Sequence, residues 1–531
     1  MNIVFRADAS LDIGSGHVMR CLALADAWRQ QGARCHFACR AHPGNLIAKI
    51  CESGFAVTEL PNGAVESRGD VLDADPLPSH ASWLGADWRT DADATQRTLQ
   101  ALEPDWLVVD HYALDGRWEQ QVRRHCKHLM IIDDLADRTH DCDLLLDQTL
   151  DRTARDYSGL VPEHCLVRTG PRYALLRPEF AALRDDSLRR RASSAWRSLL
   201  ITMGGIDSFN ATGRVLAALS RCELPQDCTV VVVMGRHAPW IEDVRERARA
   251  LPWPCEVKVD ATDIARLLVK CDLAIGAAGG SAWERCALGV PSLVVVTARN
   301  QEGVARSLAR AGAVRLVGDV ESVEQTLPAM LRTIGSRQLT EMSSAASKIC
   351  DGQGTGRVID TMRIWGVQVR RMREDDLELV LQWRNHPDIR RWMYSSHQIS
   401  PSEHREWYAG AQEDRRRHLL IVEEAGVPFG FVQFTQTGND GVADWGFYTL
   451  PGAPRGSGRK LGLAALNYAF TRIGLRKVRG EAIAFNEISA AFHRKLGFAE
   501  EGVLNDRFFD GATYHPVLCF GLEAAEWLGR Q

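Results

Sequence analysis

Residues 2–20 hold the feature that most limits the fold. A short apolar strand, Asn2 to Phe5, runs into a loop with glycines at 14 and 16, and that loop opens a helix through Arg29. The same alternation recurs through the first 360 residues. Predicted strands are Ile3–Arg6, Arg34–Cys39, Ala56–Leu60, Asp105–Asp110, Met130–Asp133 and Leu144–Asp147, then Leu199–Thr202, Val230–Met234, Cys255–Val259, Leu273–Ile275, Leu293–Val296 and Val314–Val317. Continuous apolar strands separated by helices predict parallel sheets covered on both faces. Such sheets take ligands at the carboxyl ends of their strands. Those ends carry Asp8, Asp110-His111-Tyr112 and Asp133-Asp134, acids that also serve as helix caps.

A chain of 531 residues exceeds one ordinary core, so roughly three domains are expected. The divisions read as 1–180, 195–360 and 366–531, with Gly170 to Arg177 and the charged run Arg184 to Arg191 as a crossing linker. A hydrophobic fraction of 45% and a charged fraction of 25% are those of a soluble globular protein. A formal net charge of −4 gives no basic field for nucleic acid or an anionic membrane. No apolar run is long enough to span a bilayer and no secretion signal opens the chain. The 14 cysteines contain no Cys-x-x-Cys pair, which predicts reduced thiols in a cytoplasmic protein and no metal site. Oligomeric state is left open.

Three loops carry the chemistry of the first 360 residues. Gly14 and Gly16 allow close backbone approach to a ligand, and His17 stands at a helix start where an imidazole beside an anion site can take a proton from water. Gly204-Gly205 leaves the strand ending at Thr202, and Gly279-Gly280-Ser281 precedes a helix on which Glu284 lies one turn in. Glycines before a helix suit a diphosphate, and Glu284 can accept from ribose hydroxyls. The alternative for each is a plain strand-to-helix turn.

The order of these pieces resembles the two-domain GT-B architecture of MurG-type glycosyltransferases, and more closely the UDP-sugar hydrolases of pseudaminic acid synthesis (PseG type). The matching segments are Arg6 to Arg20, Val109 to Tyr112, Ile132 to Arg138, Gly170 to Phe180, Ala278 to Pro291, Asn300-Gln301-Glu302 and Asp351 to Gly354. The resemblance implies release of UDP from a diacetamido-trideoxy sugar with inversion and without metal. It makes His17 the general base, Asn300 and Glu302 sugar contacts with Gln301 between them, and Gly279, Gly280, Ser281 and Glu284 the nucleotide site. Arg6, Asp12, Gly14, Gly16, Tyr112, Gly204 and Gly205 are expected to line the same cleft. A glycosyltransferase, with an acceptor hydroxyl in place of water, is the alternative.

A third α/β segment begins near Gly366. Its predicted strands are Val367–Met372, Leu419–Glu423, Gly430–Thr435 and Trp445–Leu450, followed by Arg455-Gly456-Ser457-Gly458-Arg459-Lys460 and a helix. That loop resembles the coenzyme A pyrophosphate loop of GNAT acetyltransferases, and Asn486 with Ala491 to Phe498 matches the family's closing signature. The resemblance implies acetyl-CoA as cosubstrate, with Asn486 beside it. Lys460 departs from the usual small residue, and His493 stands where many of these enzymes carry a tyrosine acid; it serves either as acid or as packing, with Tyr514 as another candidate. Trp383-Arg384-Asn385-His386-Pro387 and Trp392-Met393 resemble acetyltransferases of UDP-amino-sugars (PseH type) and of ribosomal proteins. A sugar-nucleotide-binding module without activity is the third reading for this segment.

Overall fold

The computed structural model describes residues 1–62, 77–191, 196–395 and 397–530. The chain forms two compact units, Met1–Ile359 and Asp360–Gln531. The first contains two sheets, both parallel throughout. One is built from β1 (Asn2–Ala7), β2 (Arg34–Arg40), β3 (Ala56–Leu60), β4 (Trp106–Asp110), β5 (His128–Ile132), β6 (Leu144–Asp147) and β7 (Leu166–Thr169), in the order β3-β2-β1-β4-β5-β6-β7. The other is built from β8 (Ser198–Thr202), β9 (Thr229–Met234), β10 (Cys255–Val259), β11 (Leu273–Ala277), β12 (Ser292–Val296) and β13 (Val314–Asp319), in the order β10-β9-β8-β11-β12-β13. In each sheet the order reverses beside the first strand, between β1 and β4 and between β8 and β11. Helices there leave on opposite faces, which opens a crevice at the strand ends. Strands such as β4, buried at every residue, and β11, likewise buried, are why the pattern was legible as continuous apolar runs.

The charged run Arg184–Arg191 is not a linker. It is a helix docked on the second sheet's layer. Arg184 donates to the carbonyls of Ala287, Ser347 and Cys350, and Arg191 to those of Leu268, Cys271 and Leu288. The arginines reach main-chain acceptors at the ends of neighbouring helices, so charge here serves docking. The expected domain boundary at 195 falls on residues outside the described ones.

The glycine run near 354 closes the first unit. The helix Gly354–Arg363 begins where its first residue meets the backbone of Tyr173 and Ala174. Thr355 Oγ1 donates to the Leu176 carbonyl at 2.7 Å. A Cβ on Gly354 would lie 2.4 Å from the Ala174 carbonyl oxygen, whereas one on Gly356 meets nothing within 4 Å.

The second unit is one mixed sheet: β14 (Val367–Arg371), β15 (Arg417–Glu424), β16 (Val427–Gln436), β17 (Val442–Thr449), β18 (Lys477–Ile483), β19 (Ala499–Phe509) and β20 (Tyr514–Glu523), in the order β14-β15-β16-β17-β18-β20-β19. All pairs are antiparallel except β17 with β18. That parallel pair spans only Val442–Asp444 against Lys477–Arg479, after which the two strands separate. Among the described residues, no helix is long and apolar enough to cross a membrane.

Gly354→Ala is expected to destabilise the first unit by roughly 1–3 kcal/mol through overpacking against main chain. Gly356→Ala, in open helix, should instead stabilise it by up to about 1 kcal/mol. Urea midpoints of the two variants check this; equal midpoints would dismiss the close approach as the reason for the glycine.

Candidate active sites

At the β1/β4 switch point the parallel register sets Ala7 beside Asp110. Asp110 ends β4 and its carboxylate is fully buried. It accepts from His17 Nδ1 at 2.5 Å and from Arg20 Nε and Nη2 at 2.6 and 2.7 Å. His17 and Arg20 lie one turn apart on the helix Gly16–Gln30 and so reach the same oxygen pair. Burial alone would raise the Asp110 carboxyl, but the Arg20 guanidinium and His17 outweigh it and hold the group well below the usual carboxylate range. With Nδ1 bonded to Asp110, Nε2 is the ring nitrogen of His17 not engaged by that carboxylate. Arg20 also pairs with Asp134 at 2.5 Å, and Tyr112 donates its hydroxyl to Asp134 at 2.9 Å. The Tyr112 ring meets the His17 imidazole edge to face, with ring centres 4.5 Å apart, and Trp83 and His80 continue the aromatic wall.

Gly14 takes a left-handed φ of +82°, and its N–H closes a turn onto the Ser10 carbonyl at 2.9 Å. The loop after β8 presses on this turn. A Cβ on Gly205 would lie 2.6 Å from Ser15 Oγ, and Ser208 Oγ donates to the Leu11 carbonyl at 3.1 Å. Gly204, at φ +97°, faces open space. The ends of β1 and β8 therefore face each other. The loop after β11 gathers a second group. Gly280 precedes the helix Ser281–Ala287, and a Cβ on Gly279 would come 3.7 Å from the Gln301 amide nitrogen. Gln301 in turn accepts from Thr297. Glu284 is half-buried, and burial pushes its carboxyl up.

Of four further residues expected in the cleft, Arg6, Asp12, Asn300 and Glu302, Arg6 alone is buried away from it. Arg6 is fully buried, bonded to Asp91 at 2.8 Å and paired with Asp8 at 2.7 Å, so it cannot touch a substrate. Arg40 adds a second guanidinium to Asp91 at 2.6 Å, making a closed ion network beneath the strand ends. Asp12 is exposed on the turn and makes its bond through the main chain, to Ser10 Oγ. Glu302 pairs with Arg306 on its own helix at 2.8 Å, and Asn300 is exposed beside it. Asp110 was visible only as one of several strand-end acids; its partnership with His17 spans 93 positions and follows from the pairing of β1 with β4.

In the second unit, Gly456 has a left-handed φ of +98° and opens the helix Ser457–Tyr468, which has no side-chain cap. Ser457 N–H closes a turn onto the Pro454 carbonyl at 3.1 Å, so the first-turn N–H groups of Gly458 and Arg459 are the ones left for an external acceptor. Arg459 forms a two-pronged pair with Asp360 at 2.8 and 3.0 Å, and Lys460 pairs with Glu424 at 2.5 Å. Both cations are engaged with carboxylates, while Arg455 is exposed. Arg363, which the sequence did not single out, brings its Nη1 within 3.5 Å of where a Gly456 Cβ would stand. Asn486 caps the helix Glu487–Leu496 by accepting from Ser489 N at 3.1 Å.

The GNAT acetyltransferase domain model matches residues 367–499. An N-acetyltransferase of Bacillus subtilis prophage SPbeta, YokL, is 30% identical over 132 residues, covering 24% of this chain and 73% of that protein. The chain belongs to the GNAT family through its C-terminal unit. The N-terminal unit is PseG-like: the UDP-2,4-diacetamido-2,4,6-trideoxy-β-L-altropyranose hydrolase of Campylobacter jejuni is 25% identical over 312 residues, 59% of this chain and 97% of that enzyme. An uncharacterised protein of Methanocaldococcus jannaschii is 22% identical over 445 residues, 80% of this chain and 81% of its own.

In the GNAT unit His493 is packed as a neutral ring. It is fully buried where β17 and β18 part, stacked on Phe520 with ring centres 4.8 Å apart. Its Nδ1–H donates to the Ser489 carbonyl at 2.8 Å, and Nε2 accepts from the Trp445 indole N–H at 3.1 Å. Both nitrogens are used by a neutral ring, and burial pulls the imidazole down to about 4. The one ring proton is held by the Ser489 carbonyl, and Nε2 carries none. Tyr514, the other candidate, is 63% exposed and lies against Phe509 at a tilt, with ring centres 4.9 Å apart.

Because the folded state binds the His493 proton more weakly than the unfolded chain, whose imidazole titrates near ~6.5, this group's contribution to stability is whole above about pH 6.5 and is lost as pH falls toward 4. His493→Phe should therefore keep acetyl transfer and flatten the pH dependence of the GNAT unit's urea midpoint between about pH 7 and 5. An unchanged pH slope, or loss of transfer in a folded variant, would restore a titrating role.

Proposed function

We infer that the chain is a bifunctional enzyme of sugar biosynthesis, its functional domains being 1–180, 195–360 and 366–531. The N-terminal unit hydrolyses a UDP-linked diacetamido sugar to UDP and free sugar. The C-terminal unit acetylates an amine of the precursor UDP-amino-sugar with acetyl-CoA. The observation that carries the first half is the bond from His17 Nδ1 to the buried, ionised Asp110.

That bond supports a reading in which His17 Nε2 is the base. Water attacks the anomeric carbon as the carbon–oxygen bond to the diphosphate breaks, its electron pair leaving with UDP, and Nε2 takes the water's proton. Attack from the face opposite the leaving group inverts the centre. Asp110 stabilises the imidazolium without itself taking the proton, and Arg20 keeps it ionised. A diphosphate is a competent leaving group at neutral pH once its charge is held, so a second acid is not required.

In the C-terminal unit the left-handed Gly456 and the uncapped helix start fit a diphosphate, with Arg363, Arg455 and Arg459 close by in space or sequence as cations. The parting of β17 from β18 leaves main-chain groups of Phe447 to Thr449 unpaired on that side, where an extended arm can bond. Acetyl-CoA, when bound there, supplies the acetyl group.

The test uses the full chain with UDP-4-amino-4,6-dideoxy-N-acetyl-β-L-altrosamine, products being followed by mass with and without acetyl-CoA. The expected result is acetylation followed by UDP release, with no UDP released when acetyl-CoA is left out. His17→Asn and Asp110→Asn should both acetylate normally while UDP release falls by about 10²–10⁴. Acetylation without UDP release from the unaltered chain would favour transfer to an acceptor hydroxyl instead. Absence of acetylation would move the GNAT unit to another amine.

A further inference from the structure

Arg6, Arg40 and Arg285 are among the largest fully buried side chains of the molecule. Arg6 and Arg40 share Asp91, at 2.8 and 2.6 Å, so their charges are neutralised inside the protein. Arg285 differs. It lies on the helix Ser281–Ala287 and folds back under the loop after β11. Its Nη2 donates to the Ala277 carbonyl at 2.5 Å and its Nη1 to Ser281 Oγ at 3.2 Å. Both partners are neutral. Among the described residues no carboxylate lies within 4.0 Å of the guanidinium, and Nε has no bonding partner. Room for the group is made by Gly276, where a Cβ would stand 2.7 Å from Nη1.

A buried charge without a counterion is costly, and removing water strengthens its pull on any anion that arrives. Burial already draws this guanidinium below its ordinary range. The unneutralised cation sits at the carboxyl end of β11, on the β8/β11 switch point where a parallel sheet takes its ligand.

We propose that Arg285 is the positioning residue of the nucleotide's diphosphate subsite: its charge, held beneath the Gly276–Ser281 loop, is completed by the ligand's phosphates, and it sets preference for UDP over uridine. Arg285 does this without touching the ligand, by tying the Ala277 carbonyl inward and supplying positive potential through the loop. This rests on the reading of the N-terminal unit as a UDP-sugar enzyme.

The experiment titrates UDP and uridine calorimetrically into the full chain and into Arg285→Gln and Arg285→Lys. Gln keeps an amide donor for the Ala277 carbonyl and removes the charge; Lys keeps the charge. Arg285→Gln should bind uridine as the unaltered chain does and UDP about tenfold or more weakly, while Arg285→Lys holds UDP within about threefold. In turnover, Arg285→Gln should raise KM with little change in kcat. UDP affinity unchanged in Arg285→Gln overturns the proposal, and so does an equal loss in Arg285→Lys, which alone suffices if the Gln variant does not fold. Failure of the unaltered chain to bind UDP overturns the nucleotide reading itself, whatever the variants do.

Discussion

The Asp110 carboxylate is the contact on which the N-terminal site depends. A carboxylate with no exposure at the end of a central strand is tolerable only if ionic partners surround it, and His17 and Arg20 supply them from one helical turn. Three consequences follow. The helix Gly16–Gln30 is pinned to the sheet at its first turn, the imidazole is bonded through Nδ1, and Arg20 extends the network to Asp134 and through it to Tyr112. The glycine turn before the helix then acquires a fixed place. Gly14 adopts its left-handed turn there, and the loop after β8 lies against Ser15.

The parallel sheets were legible because a strand buried on both faces has to be apolar throughout. Leu144–Asp147, buried at every residue, stands in the structure as read; the edge strands Ala56–Leu60 and Cys255–Val259 also stand as read, though they are largely unburied and carry charged residues. Strands outside that rule were missed. β18 reads Lys-Val-Arg-Gly-Glu-Ala-Ile, with small or short residues on its buried side, and β19 is exposed at nearly every position. Their place comes from pairing with β20, a long-range fact without a local period. The arginine-rich run 184–191 misled for a related reason: charge suggests solvent, yet guanidinium groups also satisfy buried carbonyls at helix ends.

Site residues divide along the same line. His17 was singled out by local chemistry, a histidine at a helix start after glycines. Arg6 and His493 have equally suggestive neighbours in sequence, but their roles depend on partners far along the chain: Asp91 for the first, Trp445 and Phe520 for the second. In both cases the structure consumes every polar atom that chemistry would need, either in ion pairs or in bonds that hold a neutral ring. A residue type at a motif position therefore states what a side chain can do. Whether it is available is decided by what the fold has already bonded to it.

Availability is also the measure by which the buried cations separate. Around Asp91 two guanidinium groups and the indole N–H of Trp118 converge on one carboxylate, an arrangement closed to any ligand. At the GNAT loop Arg459 and Lys460 are held by Asp360 and Glu424 in half-buried pairs, which solvent still reaches in part. Under the β11 loop Arg285 has only neutral partners. These are three electrostatic states of the same side-chain types: satisfied, partly solvated and unsatisfied. The last two lie beside glycine loops that end in a helix. The distribution of compensating carboxylates, more than the distribution of arginines, thus marks where this chain can hold an anion.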